Sequence, residues 1–130
     1  MLDKAATLAA YASCGFILLP AGRDMFSHTT PILPGEDVTR PMMVAANPKA
    51  RRFMWGLWGF NHCLVTGLKL LAIHSKDALM LKVLAGSAVV TMGYCVAGQR
   101  DVGPLGGDLK GFVAVCAVQV LSLGYLAYKA

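Results

Sequence analysis

Residues 111–128 read GFVAVCAVQVLSLGYLAY, a run without a single Asp, Glu, Lys or Arg. Three more uncharged apolar runs of similar length lie at residues 5–22, 53–68 and 83–99. An α-helix rises about 1.5 Å per residue, so each run is close to the length that crosses a hydrocarbon layer about 30 Å thick. We therefore predict an all-α integral membrane protein, a bundle of four transmembrane helices.

The predicted bundle is a single membrane domain that takes up residues 1–130. Its spans cover approximately residues 4–22, 53–73, 79–99 and 111–128. A short connection over residues 74–78 makes the second and third spans antiparallel neighbours, whereas residues 23–52 form one long Pro-rich loop. A loop of this length without periodicity is usually functional or disordered, and we expect this one to lie against a partner.

Composition argues against several classes of protein. Hydrophobic residues make up 56% of the chain and charged residues 15%, whereas an average soluble domain has about 25% charged residues. A soluble four-helix bundle would also carry charges along the outer face of each helix. The net charge of +5 does not indicate nucleic acid, because the basic residues are scattered among the loops. The partners that we expect are membrane lipids and other membrane-protein subunits.

Basic and aromatic residues gather at the start of the second span. Lys49, Arg51 and Arg52 precede it, and Trp55 and Trp58 lie in its first turns. Cations at the end of a span meet lipid phosphates, and tryptophan is enriched at membrane interfaces. We predict that these residues contact the membrane surface.

Small residues predict close contacts between helices. Gly56 and Gly59 lie one turn apart in the second span, and Gly86 and Gly93 share one face of the third span. Small side chains let transmembrane helices approach closely, so we predict that these glycines pack against another helix, including one from a partner. Lys69, near the end of the second span, is expected to reach the membrane surface through its apolar stem.

His62 is the candidate cofactor ligand, together with the neighbouring Asn61 and with Gln119 midway along the fourth span. A histidine about ten residues into a span is a site hypothesis by default, and neutral imidazole ligates metals well. One histidine is sufficient for the magnesium of a chlorophyll, whereas His28 and His74 are predicted outside the membrane and offer no second ligand for a haem. The alternatives remain open: His62 either ligates a pigment or makes a structural hydrogen bond, and Gln119 has an interhelical hydrogen bond as its simpler role.

The remaining reactive residues do not predict catalysis or a metal site. The four cysteines fall one per predicted span without a CxxC pair, which is typical of buried, small apolar residues. All seven acidic residues lie at predicted span ends or in loops, and neither HExxH nor GxSxG occurs. A proton or ion path requires an acidic residue at depth. We therefore expect neither an enzyme nor a transporter.

Residues 59–71, which contain Gly67-Leu68-Lys69-Leu70 late in a span, resemble the DoxX-like group of small four-span membrane proteins. The long first loop departs from that group, and we transfer no function from it. The leading hypothesis is a non-catalytic accessory subunit of a photosystem or respiratory complex, in a thylakoid or mitochondrial inner membrane. Such a subunit would stabilise subunit or antenna association. The alternative is an independent DoxX-like protein that acts with lipids or its own partners.

Overall fold

Four helices, and no strand, make up the described part of the chain. The computed structural model describes residues 2–26, 48–102 and 109–130, with the backbone alone for residues 48–52, 54, 55, 101 and 102. The helices are α1 (Leu2–Phe26), α2 (Pro48–Ser75), α3 (Ala78–Val102) and α4 (Lys110–Lys129). The all-helical prediction is confirmed, whereas residues 27–47, the greater part of the predicted loop, lie outside the described residues.

Helix α1 continues beyond residue 22, where the sequence predicts its end. Pro20 has no amide hydrogen, so the carbonyl of Phe16 loses its helical donor, yet the helix runs on to Phe26. Transmembrane helices tolerate an interior proline when other groups satisfy the freed carbonyl. The extension brings Arg23 and Asp24 into α1, and Asp24 is buried. Helix α2 likewise begins at Pro48, so the prediction that residues 23–26 and 48–52 belong to the loop is wrong.

A two-residue turn, Lys76 and Asp77, joins α2 to α3. Lys76 has a φ of 53°, the left-handed conformation that commonly ends a helix. The amide of Asp77 donates to the carbonyl of Ala72 at 3.3 Å, which completes the turn. The Asp77 carboxylate then accepts the amide of Met80 at 2.9 Å and caps the first turn of α3. The short connection that the sequence predicts is present.

Successive helices run in opposite directions. The hydroxyl of Tyr125, in the last turns of α4, donates to the carboxylate of Asp3, in the first turn of α1, at 2.8 Å. At the opposite end, the amide of Leu109 donates to the side-chain oxygen of Gln99 at 2.6 Å. The start of α1 and the end of α4 therefore lie at the same end of the bundle.

The helices form a ring that is incomplete on one side. α1 packs on α2 and α4, and α3 packs on α4, whereas α2 and α3 contact each other far less, although two residues join them. The main cluster of buried apolar residues lies towards the α2–α3 turn and draws on all four helices: Ala10, Cys14, Ala72, Ile73, Leu81, Leu84, Ala85, Leu123 and Ala127. Away from that turn, the α2–α3 side is the least closed side of the bundle.

Gly59 marks the place where the backbones of α1 and α2 come together. A Cβ atom at Gly59 would lie 2.5 Å from the carbonyl oxygen of Ala21 and 2.7 Å from the amide nitrogen of Met25. A Cβ at Gly56 would lie 3.7 Å from the Met25 carbonyl oxygen. Both glycines pack against a helix, as predicted, but that helix is α1 of the same chain and not a partner.

Among the residues that the structure describes, three helical segments are long and apolar enough to cross a membrane: Leu2–Phe26, Ala78–Arg100 and Lys110–Lys129. Each exposes large apolar side chains, such as Leu19, Val90 and Leu121. Contact of such side chains with lipid is favourable, whereas their contact with water is not. These helices indicate a membrane protein. α2 does not meet the same criterion, because Asn61, His62 and Lys69 interrupt its apolar sequence.

Replacing Gly59 with Ala should destabilise the bundle, because the new methyl group meets backbone atoms that cannot rotate away. We expect the free energy of unfolding to fall by about 1–3 kcal/mol, the usual cost of overpacking. Gly67→Ala, in the same helix, is the control, since nothing lies within 4 Å of its Cβ position. Unfolding in mixed detergent micelles measures both variants, and equal stability of the two would contradict the close α1–α2 approach.

Candidate functional site

The inner face of α2 carries a row of polar side chains. His62, Thr66 and Lys69 follow one another at intervals of four and three residues, which places them on one face of a helix. Thr66 is 1% exposed and Lys69 is 6% exposed, and His62 is half-buried. The inner face of α2 thus combines buried polar side chains with Ala72 and Ile73, which belong to the buried apolar cluster.

Lys69 is the most unusual residue of this row. Its ammonium donates a hydrogen bond of 2.6 Å to the side-chain oxygen of Gln119 on α4, and both side chains are buried. The expectation that Lys69 extends to the membrane surface is wrong, because its side chain points across the bundle to another helix. For Gln119 this bond is the interhelical hydrogen bond that its position in the fourth span suggested.

The amide nitrogen of Gln119 has no hydrogen-bond partner among the described residues, although it is fully buried. Lys69 requires the oxygen of the Gln119 amide as its acceptor. The orientation of the amide is therefore fixed, and its nitrogen is left without an acceptor. A buried donor without an acceptor costs about 1–3 kcal/mol. Such a group in a native core calls for an explanation.

Two buried cysteine thiols lie near the Lys69 ammonium. Cys14 on α1 and Cys116 on α4 are both close enough to interact with it electrostatically, whereas Cys63 and Cys95 are half-buried. In the described ranges, no group of three or more His, Cys, Asp or Glu side chains could hold a metal ion. The centre of the bundle thus combines one amine, one amide and two thiols from three helices.

His62 faces aromatic rings rather than the Lys69–Gln119 pair. Its ring lies 4.2 Å from the Trp58 ring and 6.0 Å from the Phe112 ring, centroid to centroid. Nδ1 lies 3.0 Å from the carbonyl oxygen of Trp58, four residues earlier in α2. If Nδ1 carries the proton and donates it to that carbonyl, Nε2 keeps a lone pair that is able to bind a metal.

Asp24 and Arg23 form a second polar group at the far end of α1. The Arg23 Nε donates to the Asp24 carboxylate at 2.9 Å, and a terminal guanidinium nitrogen forms an ion pair with the same oxygen. The Asp24 side chain is 7% exposed, and its charge reaches His62. An acidic residue thus lies buried in α1, which the sequence did not predict.

The other predicted site residues do not join the inner row of α2. Asn61 is exposed and donates to the Leu57 carbonyl of its own helix at 2.8 Å, so it does not join the inner row. Among the described residues, nothing lies within 4 Å of a Cβ at Gly86 or Gly93, so neither packs against the helices of this part of the chain. Four side chains near the start of α2 lie outside the described residues: Lys49, Arg51, Arg52 and Trp55.

The spacing of the α2 residues contains a signal that sequence reasoning missed. His62 was singled out for its depth, and Lys69 lies exactly two turns further on the same face, with Thr66 between them. A lysine in register with two inward-facing polar residues is more consistent with the bundle interior than with its surface. Asp24 offered no comparable signal, because its burial depends on α1 continuing through Pro20.

No family model, curated protein sequence or solved structure matches this chain. The resemblance of residues 59–71 to DoxX-like proteins therefore has no support from these comparisons.

The Lys69–Gln119 bond should produce strong non-additivity in a double-mutant cycle. Lys69→Met and Gln119→Leu each leave a buried polar group without its partner, and each should lower the free energy of unfolding by about 1–2 kcal/mol. The double variant removes both groups together and should lose much less than the sum of the two. Unfolding in mixed micelles measures the cycle; additive losses would show that the two side chains do not interact.

Proposed function

We propose that the chain is a four-span membrane bundle in which α2 is the fourth span. The polar side chains of α2 that face inward are covered by α1 and α4, and the outward-facing amide of Asn61 is satisfied by its own helix. The outer face of α2 is a continuous apolar stripe, formed by Phe53, Leu57, Phe60, Leu64, Leu68 and Leu71. In a bilayer this stripe would contact lipid, whereas in water it would be a large exposed apolar patch.

We propose further that the protein is a non-catalytic accessory subunit of a larger energy-transducing membrane complex, either a photosystem or a respiratory complex. The observation that carries this proposal is the outward face of α3. Gly86, Val90 and Gly93 share that face at intervals of four and three residues, Val90 is 71% exposed, and none of the described residues covers the two glycines. A face of small residues lets a helix of another subunit approach closely.

A chlorophyll bound through His62 would fit this role and a thylakoid location; a mitochondrial inner membrane is the alternative location, with a respiratory complex. The Nδ1 contact with the Trp58 carbonyl fixes the imidazole on α2 and leaves Nε2 for a metal. Trp58 and Phe112 provide aromatic surface beside the ring. His62 would hold a chlorophyll through its magnesium, and the side chains of Trp58 and Phe112 would contact the macrocycle.

The second candidate function is an independent four-span protein of DoxX-like type that acts with lipids or its own partners. The observation that favours it is the Lys69–Gln119 pair, because α1, α2 and α4 enclose this polar centre without help from another chain. This candidate predicts a small monomer or homodimer after mild extraction. The subunit proposal predicts that the chain co-migrates with a much larger assembly.

Gly86→Leu should release the protein from its complex without unfolding it, because the new side chain obstructs the α3 face and meets none of the described residues. Gly67→Leu, on the outer face of α2, is the matched control and should leave the complex intact. A native gel of gently solubilised source membranes, probed for the chain, measures both. If Gly86→Leu co-migrates with the large assembly as wild type does, α3 is not the contact face.

His62→Leu should remove chlorophyll from the purified chain, because leucine has no lone pair to offer the magnesium. The absorption spectrum of the gel band or of the purified protein measures pigment content, and circular dichroism checks that the helices persist. Asn61→Leu, at the next position, should leave the spectrum unchanged. If His62→Leu contains as much pigment as the wild type, His62 is a packing residue and not a ligand.

A further inference from the structure

The centre of the bundle is rich in hydrogen-bond donors and poor in acceptors. An ammonium group has three donor hydrogens, and Lys69 uses one of them on the side-chain oxygen of Gln119. The amide nitrogen of Gln119 has two more hydrogens and no acceptor among the described residues. Two donor groups therefore lie side by side, nine-tenths or more buried, with hydrogens that the described side chains leave unused.

The charge of the same site is unbalanced. A charged lysine in a membrane interior normally pairs with an acid or faces a water-filled cavity, and a buried ion without a partner is strongly destabilising. The groups around Lys69 are the neutral amide of Gln119 and the thiols of Cys14 and Cys116. None of the described carboxylates contacts it; Asp24 binds Arg23 at the other end of α1.

We propose that this site binds the carboxyl group of a lipid-soluble carboxylic acid, such as a long-chain fatty acid. The two carboxylate oxygens would accept hydrogen bonds from the Lys69 ammonium and from the Gln119 amide nitrogen. A carboxylate supplies both an acceptor for the Gln119 amide nitrogen and a negative charge to pair with Lys69. A neutral carbonyl compound, such as a quinone, supplies the acceptor but not the charge.

The charge balance also allows the ligand to reach this depth. A fatty acid dissolves in the hydrocarbon layer as the uncharged acid, and an unpaired Lys69 is most stable there as the uncharged amine. On binding, the acid O–H bond breaks, its proton moves to the Lys69 nitrogen, and the electron pair of that bond stays on the carboxylate. The pair is neutral before and after this transfer, so no net charge is carried into the membrane.

The ring of helices offers a lateral route for the hydrocarbon chain of the ligand. α2 and α3 contact each other far less than the other neighbouring pairs, so an acyl chain would pass from lipid into the bundle between these two helices, on the side of the buried cluster that faces away from their turn. Lys69 lies on one of these two helices, six residues before the end of α2 at Ser75, or about 9 Å along its axis.

This proposal goes beyond the accessory-subunit function and does not depend on it. A subunit that binds no pigment could hold such an acid, and an independent four-span protein could do the same. The experiment below uses the purified full-length chain alone, so loss of the complex in a native gel would not affect its result.

The test is saturable binding of radiolabelled palmitic acid to the purified full-length protein in mild detergent. The variants are Lys69→Met, Lys69→Arg and the double variant Lys69→Met/Gln119→Leu, with Lys82→Met, an exposed lysine on α3, as the control. Hexadecanol, with the same chain length but no acid, decylubiquinone and chloride serve as competitors. The double variant is included because it should lose much less stability than the two single variants together, and so separates loss of binding from loss of fold.

We expect palmitate affinity to fall at least tenfold in Lys69→Met and in the double variant, the usual effect of losing a charge-assisted hydrogen bond. Lys69→Arg should retain most of the affinity, Lys82→Met should retain all of it, and none of the competitors should displace palmitate. Equal binding by a folded double variant, or no saturable binding by wild type, would overturn the proposal. Displacement by hexadecanol, by the quinone or by chloride at comparable concentrations would also overturn it, in favour of an alcohol, carbonyl or small-anion site.

Discussion

A hydrogen bond between Lys69 on α2 and Gln119 on α4 crosses the interior of the bundle, and much of the remaining architecture follows from the need to keep it covered. A buried polar group without a partner costs about 1–3 kcal/mol, so Thr66 and Lys69 on the inner face of α2 depend on the helices packed against it. α1 covers that face on one side, and this requires the close backbone contact at Gly59. The outer face of α2 is then free to be apolar, as Phe60, Leu64 and Leu71 show.

Much of this fold could be predicted from the sequence, because uncharged run length and turn chemistry are local properties. The four helices and the tight turn before Asp77 follow from such patterns. The end of α1 does not, because whether a helix continues through Pro20 depends on what satisfies the freed carbonyl, and that is a tertiary property. The direction of the Lys69 side chain is tertiary in the same way: a long flexible amine near a span end can extend outward or inward, and only the position of Gln119 decides which.

The glycines illustrate why small-residue patterns predict contact but not its partner. Gly59 and Gly86 look alike in sequence, because each shares a face of a predicted span with a second glycine, Gly56 in one case and Gly93 in the other. One meets the backbone of α1 and tolerates no side chain, whereas the other has open space around it. A glycine in a transmembrane helix permits close approach, but the identity of the approaching helix depends on which faces the other contacts have already used. α1 already packs against the glycines of α2, so the glycine face of α3 is the one that points outward.

His62 and Lys69 lie on one helix face and yet suit opposite kinds of ligand. The imidazole, held by the Trp58 carbonyl and flanked by aromatic rings, can offer a lone pair to an electrophilic metal. Two turns along, the amine and amide can offer only hydrogens, to an acceptor. The two residues interact electrostatically. The proposed acid passes its proton to the uncharged amine and keeps the matching negative charge, so the pair that forms near His62 carries no net charge. A site that binds its ligand as a neutral pair can therefore lie on the same helix face as a site for a metal.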